Sequence, residues 1–424
     1  MTRPARSALK RLEKTCALVL DGDEVKARLM AERLETGAAV HVDWLRFSCL
    51  LRRAPMPTVD VLFPGPATAS EFDLISEHEA DQRARRLAAM ARVLQKLPDA
   101  EFSPAAQAQE LAERVCEVLG DGFTVAPEMR KGHDFYRYRW SIERAGYEVG
   151  WVGFLASGES PRESALNETM HVNLYGTACT FAQKGWRDHM ANLVDDVNGT
   201  ITRADLALDF FDGINGGMRR IKADYENGLM DNRGMRPKCN MVGDWNDGDK
   251  EGKGRSFYIG SRAAGKQTNV YEKGHQLFGE QDATGWIRAE LRYGNKLRVI
   301  ESDILRRPAD FFAGASDWHA SILREAEPEK QAIPRPIKVE EKLAQQTIEA
   351  EVTRNLRFLK NTAAASFALA FQFCDEEQFC ELVANQKLPA RLQKFSMSEI
   401  RSAYGKAHMR VIRGASAGRA CEAL

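Results

Sequence analysis

The side chains best suited to chemistry recur at alternate positions in three short stretches. Asn269, Tyr271 and Lys273 share one parity in the first, Arg288, Glu290 and Arg292 in the second, and Arg203, Asp205 and Asp209 in the third. In a β-strand, residues of one parity project from one face. The first two stretches would therefore carry a tyrosine, a lysine, two arginines and a carboxylate on one sheet surface. The third opposes its charged set to an apolar one of Ala204, Leu206, Leu208 and Phe210. Its carboxylates, combined with Glu290 and Tyr271, suggest a metal site, the alternative being a merely solvated acidic face. Two aspartates four apart on a strand are separated by about 13 Å along it. They share one ion only if the strand bends, so Asp205, near the arginine, is the first choice of ligand and Asp209 the second.

The elements that would position these residues follow from composition and turn signals. Ser256 to Gly260 and Thr268 to Lys273 are rich in aromatic and β-branched residues and are joined by a Gly-containing loop, which predicts a hairpin. Ile287 to Tyr293 alternates apolar and charged residues and predicts a third strand. The loop Gly260-Ser-Arg-Ala-Ala-Gly-Lys-Gln267 satisfies the first seven positions of a phosphate-cradling nucleotide loop. Gln267, however, stands where a Ser or Thr should hold magnesium, and strand-like residues follow in place of the helix whose dipole would bind phosphate. A plain hairpin loop is the expectation, with Arg262 and Lys266 available to nucleic-acid phosphates.

The chain has 424 residues, a length that predicts two or three domains, and its 44% hydrophobic content suffices for packed cores. Lys plus Arg and Asp plus Glu number 60 each, so the total charge gives no hint of a nucleic-acid partner, although it can conceal a local basic surface. Eight cysteines show no CxxC pair and no regular framework, which suggests reduced thiols. The apolar run Cys16 to Leu20 stops at Asp21, so no secretory signal is expected. No segment approaches the roughly 20 apolar residues that span a bilayer. A cytoplasmic protein with no membrane partner is the expectation, and no internal repeat argues for a solenoid.

Elsewhere the pattern predicts an α+β fold, a mainly antiparallel sheet with flanking helices. Residues 1–40 read as a basic helical extension with Val25, Leu29 and Leu34 on one side. A strand over His41 to Cys49 places Leu45, Phe47 and Cys49 together, and a helical insertion over about 68–118 has Leu87, Met90, Leu94 and Leu97 at core spacing. Phe135 to Ile142 alternates Tyr136, Tyr138, Trp140 and Ile142 with Arg137 and Arg139. That is either a stacking platform for single-stranded nucleic acid or an ordinary strand with aromatics in the core, the second being favoured. Tyr147 to Leu155 completes its hairpin, Met170 to Gly176 is another strand, and Trp186, Met190, Leu193 and Val197 mark a helix ending at Asn198-Gly199. Residues 212–253, with Arg219, Arg220, Lys222, Arg233, Arg236 and Lys238, read as a long basic surface connection. Ile333 to Ile337 reads as a linker, and residues 311–424 as a helical C-terminal module with Phe367, Leu369, Phe371 and Phe373.

Taken in order, Arg203-Ala-Asp-Leu-Ala-Leu-Asp209, Tyr258-Ile-Gly-Ser-Arg262, Val270-Tyr-Glu-Lys-Gly274 and Trp286-Ile-Arg-Ala-Glu-Leu-Arg292 resemble the replication initiation factors of filamentous phages and rolling-circle plasmids. His41-Val-Asp-Trp-Leu and His171-Val-Asn-Leu-Tyr-Gly-Thr-Ala-Cys179 also look like that family's early strands, and the resemblance covers roughly residues 41–67 and 130–310. It implies a nickase domain over 41–310 that cuts one strand at an origin, Tyr271 becoming joined to the 5′ phosphate. It also implies a divalent metal held by Asp205 and Glu290, with Asp209 in reserve. Glu272 matches the same motif, although alternation turns it away from Tyr271. Lys273, Arg203 and Arg292 would lower the tyrosine pKa or hold the phosphate, and Arg137, Arg139, Arg236 and Arg262 would bind DNA. The paired-histidine metal motif of many other nickases is absent, which leaves carboxylates and favours Mg2+ or Mn2+. Origin DNA in a single-stranded or hairpin region, a host helicase and a homodimer are the implied partners. The alternatives are a non-cleaving phage or plasmid DNA-binding regulator and a P-loop ATPase.

Overall fold

The computed structural model describes residues 22–58, 77–97, 99–158, 165–231, 234–245, 254–279, 282–326, 334–340, 344–384, 388–389, 392–393 and 395–412. The described chain enters through α1 (Gly22–Thr36), whose Val25 and Leu29, four apart, are buried while Leu34 is exposed. It continues into β1 (Val40–Leu50). The helical insertion follows as α2 (Glu77–Lys96) and α3 (Asp99–Leu119). Met90 and Leu97 are buried as expected, but Leu87 is exposed, and residues 68–76 and the Leu94 side chain lie outside the described set. The sheet then gains β2 (Phe123–Val125), β3 (Arg130–Lys131), β4 (Tyr136–Arg144), β5 (Tyr147–Ala156) and β6 (Thr169–Leu174).

Short α4 (Gly176–Phe181) and α5 (Trp186–Asp196) lead into β7 (Thr200–Phe210). The stretch read as an irregular basic connection contains α6 (Gly217–Glu226) and β8 (Cys239–Val242). Met218 and Ile221, three apart, bury one face of α6, and Asp224 beside them accepts a 3.0 Å hydrogen bond from Trp318 Nε1. Arg233 in that stretch lies outside the described residues. β9 (Ser256–Ser261), β10 (Lys266–Glu272), α7 (Lys273–Phe278) and β11 (Ile287–Gly294) follow, then α8 (Asp303–Arg306), α9 (Pro308–Ala313) and α10 (Asp317–Ala326).

Every described strand pair is antiparallel, in the order β2-β4-β5-β6-β1-β7-β11-β10-β9-β8 with β3 beside β4. The α+β expectation holds. One face of the β7–β11–β10 segment carries Leu206, Leu208, Ala289, Leu291 and Val270, all buried. Helices α9 and α10 close it: Tyr293 donates to the Phe311 carbonyl at 3.1 Å, and Thr268 meets His319 Nε2 at 2.9 Å. Phe311, Phe312 and Trp318 are buried there, each worth about 1.5–3 kcal/mol in removed apolar surface. This packing sets the limit of the first compact unit at residue 340 where the sequence reading divides at 310. The stretch read as a linker is pinned, since Ile337 N–H donates to the Asp310 carbonyl at 3.0 Å and Val299 N–H to Glu340 at 3.0 Å.

The aromatic face of β4 belongs to the core. Tyr136 and Trp140 are buried, and Trp140 Nε1 donates to the Ala105 carbonyl of α3 at 2.9 Å. The second unit, over 341–424, contains α11 (Ala344–Phe358), α12 (Ala364–Phe373), α13 (Glu376–Ala384) and α14 (Met397–Ile412). Its own core joins Ile348, Val352 and Leu356 to Ile400, Ala403 and Ala407, whereas Phe367, Leu369, Phe371 and Phe373 are exposed. Among the described residues no helix is long and apolar enough to cross a membrane, and the described cysteines are free.

Candidate active site

The polar face of the sheet is built by register. Gln267, Arg292 and Asp205 lie across β10, β11 and β7; Asn269, Glu290 and Ala207 form the next row; Tyr271, Arg288 and Asp209 the third. Hairpin β9–β10 closes over a short helical turn at Arg262–Ala264 with Gly265 at φ +70°, and a strand follows it. The nucleotide-loop reading therefore fails on structure, because the loop runs directly into a strand instead of the helix whose N-terminus would bind phosphate.

Two ion-pair ladders run beneath this face. Asp209 is fully buried and accepts from Trp286 Nε1 at 2.6 Å and from Arg288 Nε and Nη2 at 2.8 and 3.0 Å. Burial raises its carboxyl, but Arg288, His41 and these hydrogen bonds outweigh burial and hold it below the usual carboxylate range. Arg288 reaches on to Asp43 Oδ1 at 2.6 Å, so one buried guanidinium joins two carboxylates. In the second ladder Asp205 accepts from Arg203 Nε at 2.9 Å, from Arg203 Nη2, and from Arg292 Nε and Nη2 at 3.1 and 2.9 Å.

Above the ladders Tyr271, Lys273 and Glu290 stand together. Tyr271 is held well above the ordinary phenol value, by burial first, while Arg288 pulls it down and Glu290, Asp43 and Asp209 push it up. The Lys273 ammonium lies 5.8 Å over the Tyr271 ring and donates to Gln276 at 3.1 Å. Burial, and then Arg288, lower Lys273 to about 8 against the pull of Asp43, Asp209 and Glu290. Glu290 is raised to about 8, by burial first and then by Asp43 and Asp205. A phenol that keeps its proton needs a base beside it, and an amine and a carboxyl near 8 are both placed to exchange protons near neutral pH.

Tyr271, Glu290, Arg292 and Gln276 line two cavities at once. One, of about 560 Å³, runs under β9 and is polar, with Arg255, Tyr258, Arg262 and Asn269. The other, of about 690 Å³, runs toward β1 and α4 and carries Asp43, Trp44, Tyr175 and Arg203. Glu272 lines the same polar cavity as Tyr271 and fixes β9 by accepting from Arg255 Nη2 at 2.6 Å and from its backbone N–H at 2.8 Å.

Of the four arginines expected on DNA, Arg262 opens on the Tyr271 cavity and is exposed. Arg137 is exposed but pairs with Glu101 at 2.7 Å and stacks on Tyr138; Arg236 is exposed and pairs with Asp231 at 3.3 Å. Arg139 is drawn inward to Glu148 at 3.0 Å and to the Lys131 carbonyl.

Asp43 and Trp44 escaped the sequence reading. In β1, Val42 pairs with Leu206 and Trp44 with Asp205, so two residues of β1 advance against one of β7, a bulge that brings both side chains to the same cavity. The signal was present: the apolar parity is even at Val40 and Val42 and odd at Leu45, Phe47 and Cys49.

A hard divalent cation takes one or two protein carboxylates and completes its sphere with water and substrate oxygens. Asp43 and Glu290 suit that role, since they share a cavity and the Asp43 carboxylate raises the proton affinity of Glu290. Asp205 and Asp209 do not suit it in this arrangement, because both oxygens of each accept from guanidinium groups. Among the described residues no group of three or more His, Cys, Asp or Glu is close enough to hold an ion by itself.

Residues 199–381 match the family model described as "Replication initiation factor", which covers β7, β9, β10 and β11 and every ladder residue except Asp43. The likeness read from the motifs thus holds over that segment. Among solved structures the chain is similar to a rolling circle replication initiator protein from Geobacillus stearothermophilus, at 15% identity and a TM-score of 0.39, over 70% of this chain and 98% of that one. No curated protein matches.

Proposed function

We propose that the chain initiates rolling-circle replication by binding an origin and nicking one strand, with Tyr271 as the nucleophile. The observation that carries this reading is the position of Tyr271 where two cavities meet, with Lys273 and Glu290 beside it, Arg288 opposite it in register, and Arg292, two rows away, lining both cavities. The Tyr271 Oη–phosphorus bond forms as the phosphorus–O3′ bond breaks. Lys273, with its lowered pKa, accepts the phenol proton, and the departing 3′ oxygen takes a proton from water. Splitting cleavage into two transfers conserves the bond for rejoining. Arg292 faces the negative charge that develops on the phosphate oxygens. When bound, a divalent ion held by Asp43 and Glu290 would polarise the same oxygens.

The test is a denaturing gel after incubation with a 3′-labelled origin oligonucleotide. Wild type should yield a covalent protein–DNA adduct and Tyr271→Phe none, with DNA binding retained. An adduct of full strength in the variant would move the nucleophile elsewhere.

A further inference from the structure

The cavity toward β1 is walled on one side by aromatic rings, a feature that phosphate chemistry does not require. Trp44 and Tyr175 lie with ring centroids 5.0 Å apart, and the Arg203 guanidinium sits 4.3 Å over the Trp44 ring. Tyr147, 52% exposed, stands at the same cavity. Trp44 and Tyr175 are fixed before any ligand arrives. Trp44 Nε1 donates to Asn173 Oδ1 at 2.7 Å, an oxygen that also receives Arg46 Nε at 2.9 Å, and Tyr175 donates to Glu148 Oε1 at 3.2 Å. Locked side chains lose little freedom when a partner stacks on them.

We propose that this cavity receives the base of an unpaired nucleotide adjoining the scissile phosphate. The inference rests on the nicking reading for the position of that phosphate at Tyr271, and it adds a base-binding subsite. Aromatic faces and a stacked guanidinium recognise the π-face of a nucleobase, and such contacts are strong when water is excluded. The volume of about 690 Å³ lies in the range of small-molecule sites and suits a single nucleotide with its sugar. A base in a duplex cannot enter, so the subsite demands a strand already opened or a base turned out of its stack. The polar cavity with Arg255 and Arg262, on the other side of Tyr271, carries no comparable aromatic wall and suits the continuing backbone. The strand thus crosses Tyr271 with an enclosed base on one side and phosphates on the other.

The experiment uses the full chain and a single-stranded oligonucleotide spanning its mapped nick, with an abasic site walked across both flanks. One abasic position next to the nick should weaken wild-type binding about tenfold. Trp44→Leu and Tyr147→Ala should weaken binding to the intact strand and lose sensitivity to that one position; Tyr147 is exposed enough that its loss leaves the fold intact. Equal sensitivity of wild type and both variants at every position would overturn the proposal, as would the lack of any sensitive position. A chain that nicks nothing would defeat the nicking reading instead. The same variants are therefore also titrated with a short single strand carrying a central 2-aminopurine, whose fluorescence falls on stacking. Quenching that weakens in both variants supports the subsite, and quenching equal to wild type removes it.

Discussion

Replacing Arg288 with methionine isolates what the first ladder contributes. Arg288 is 1% exposed, gives two hydrogen bonds to the fully buried Asp209, and gives one to Asp43. Methionine fills much of the volume but leaves Asp209 with Trp286 Nε1 and, at 3.6 Å, His41. An uncompensated buried charge costs about 3–5 kcal/mol, and Asp43, its side chain 15% exposed, loses the same guanidinium. Urea unfolding followed by tryptophan fluorescence should show a loss of this size for Arg288→Met. Adding Asp209→Asn removes the orphan charge and should recover about 2 kcal/mol, so the two changes are strongly non-additive. The pH dependence has a definite sign. Without Arg288 the folded-state pKa of Asp209 rises above its unfolded value of about 4, so the variant's deficit is smallest below that pH and grows as pH rises. A variant as stable as wild type, or additive single and double changes, would refute the view that Asp209 is a structural anion instead of a ligand.

The remaining expectations concern catalysis and DNA. With Lys273 as the proton acceptor at about 8, single-turnover nicking should rise tenfold per pH unit below that value and level off above it; a rate still climbing above pH 10 would mean that the phenol loses its proton directly to solvent. Excess chelator should stop nicking and magnesium or manganese restore it, with Asp43→Asn and Glu290→Gln losing more cleavage than binding; undiminished activity in chelator would defeat the metal assignment. Arg262→Glu should lower the slope of log affinity against log salt by about 0.7–0.9 in a fluorescence-anisotropy titration. Arg137→Glu and Arg236→Glu should do so only if DNA displaces Glu101 and Asp231, and unchanged slopes in all three would place the backbone path elsewhere.

The parts of the site that lie on regular strands could be read from spacing alone. The parities of Asn269 and Tyr271, of Arg288, Glu290 and Arg292, and of Arg203, Asp205 and Asp209 are those of the sheet, because burial of Leu206, Leu208, Val270 and Leu291 fixes the register and a slip by one residue would expose them all, whereas Lys273, read as the end of that strand, opens helix α7. Which charges pair could not be read, since pairing depends on cross-strand neighbours. Asp205 looked like a ligand from its own strand, yet Arg292 arrives from β11 and saturates it together with Arg203. The aromatic strands were ambiguous for a related reason. Tyr136 and Trp140 lie against His171 and the Ala105 carbonyl of a helix inserted from elsewhere, whereas Trp44 and Tyr175, which no alternation singled out, face a cavity.

The bulge at Asp43 explains both the omission and the site. Strict alternation from Leu45 would send Asp43 into the core, where an unpaired carboxylate is untenable. One extra residue in β1 keeps Val40 and Val42 packed against Leu208 and Leu206 while Leu45 stays opposite Ala204. The two residues between them are thereby released together to the opposite face. A carboxylate reaches Arg288 beside Tyr271, and the next side chain supplies the ring over which Arg203 lies. Deleting either residue would restore regular pairing and should remove the carboxylate or the aromatic wall without disturbing the core face of β1, so the bulge couples the chemical step to the base-binding cavity.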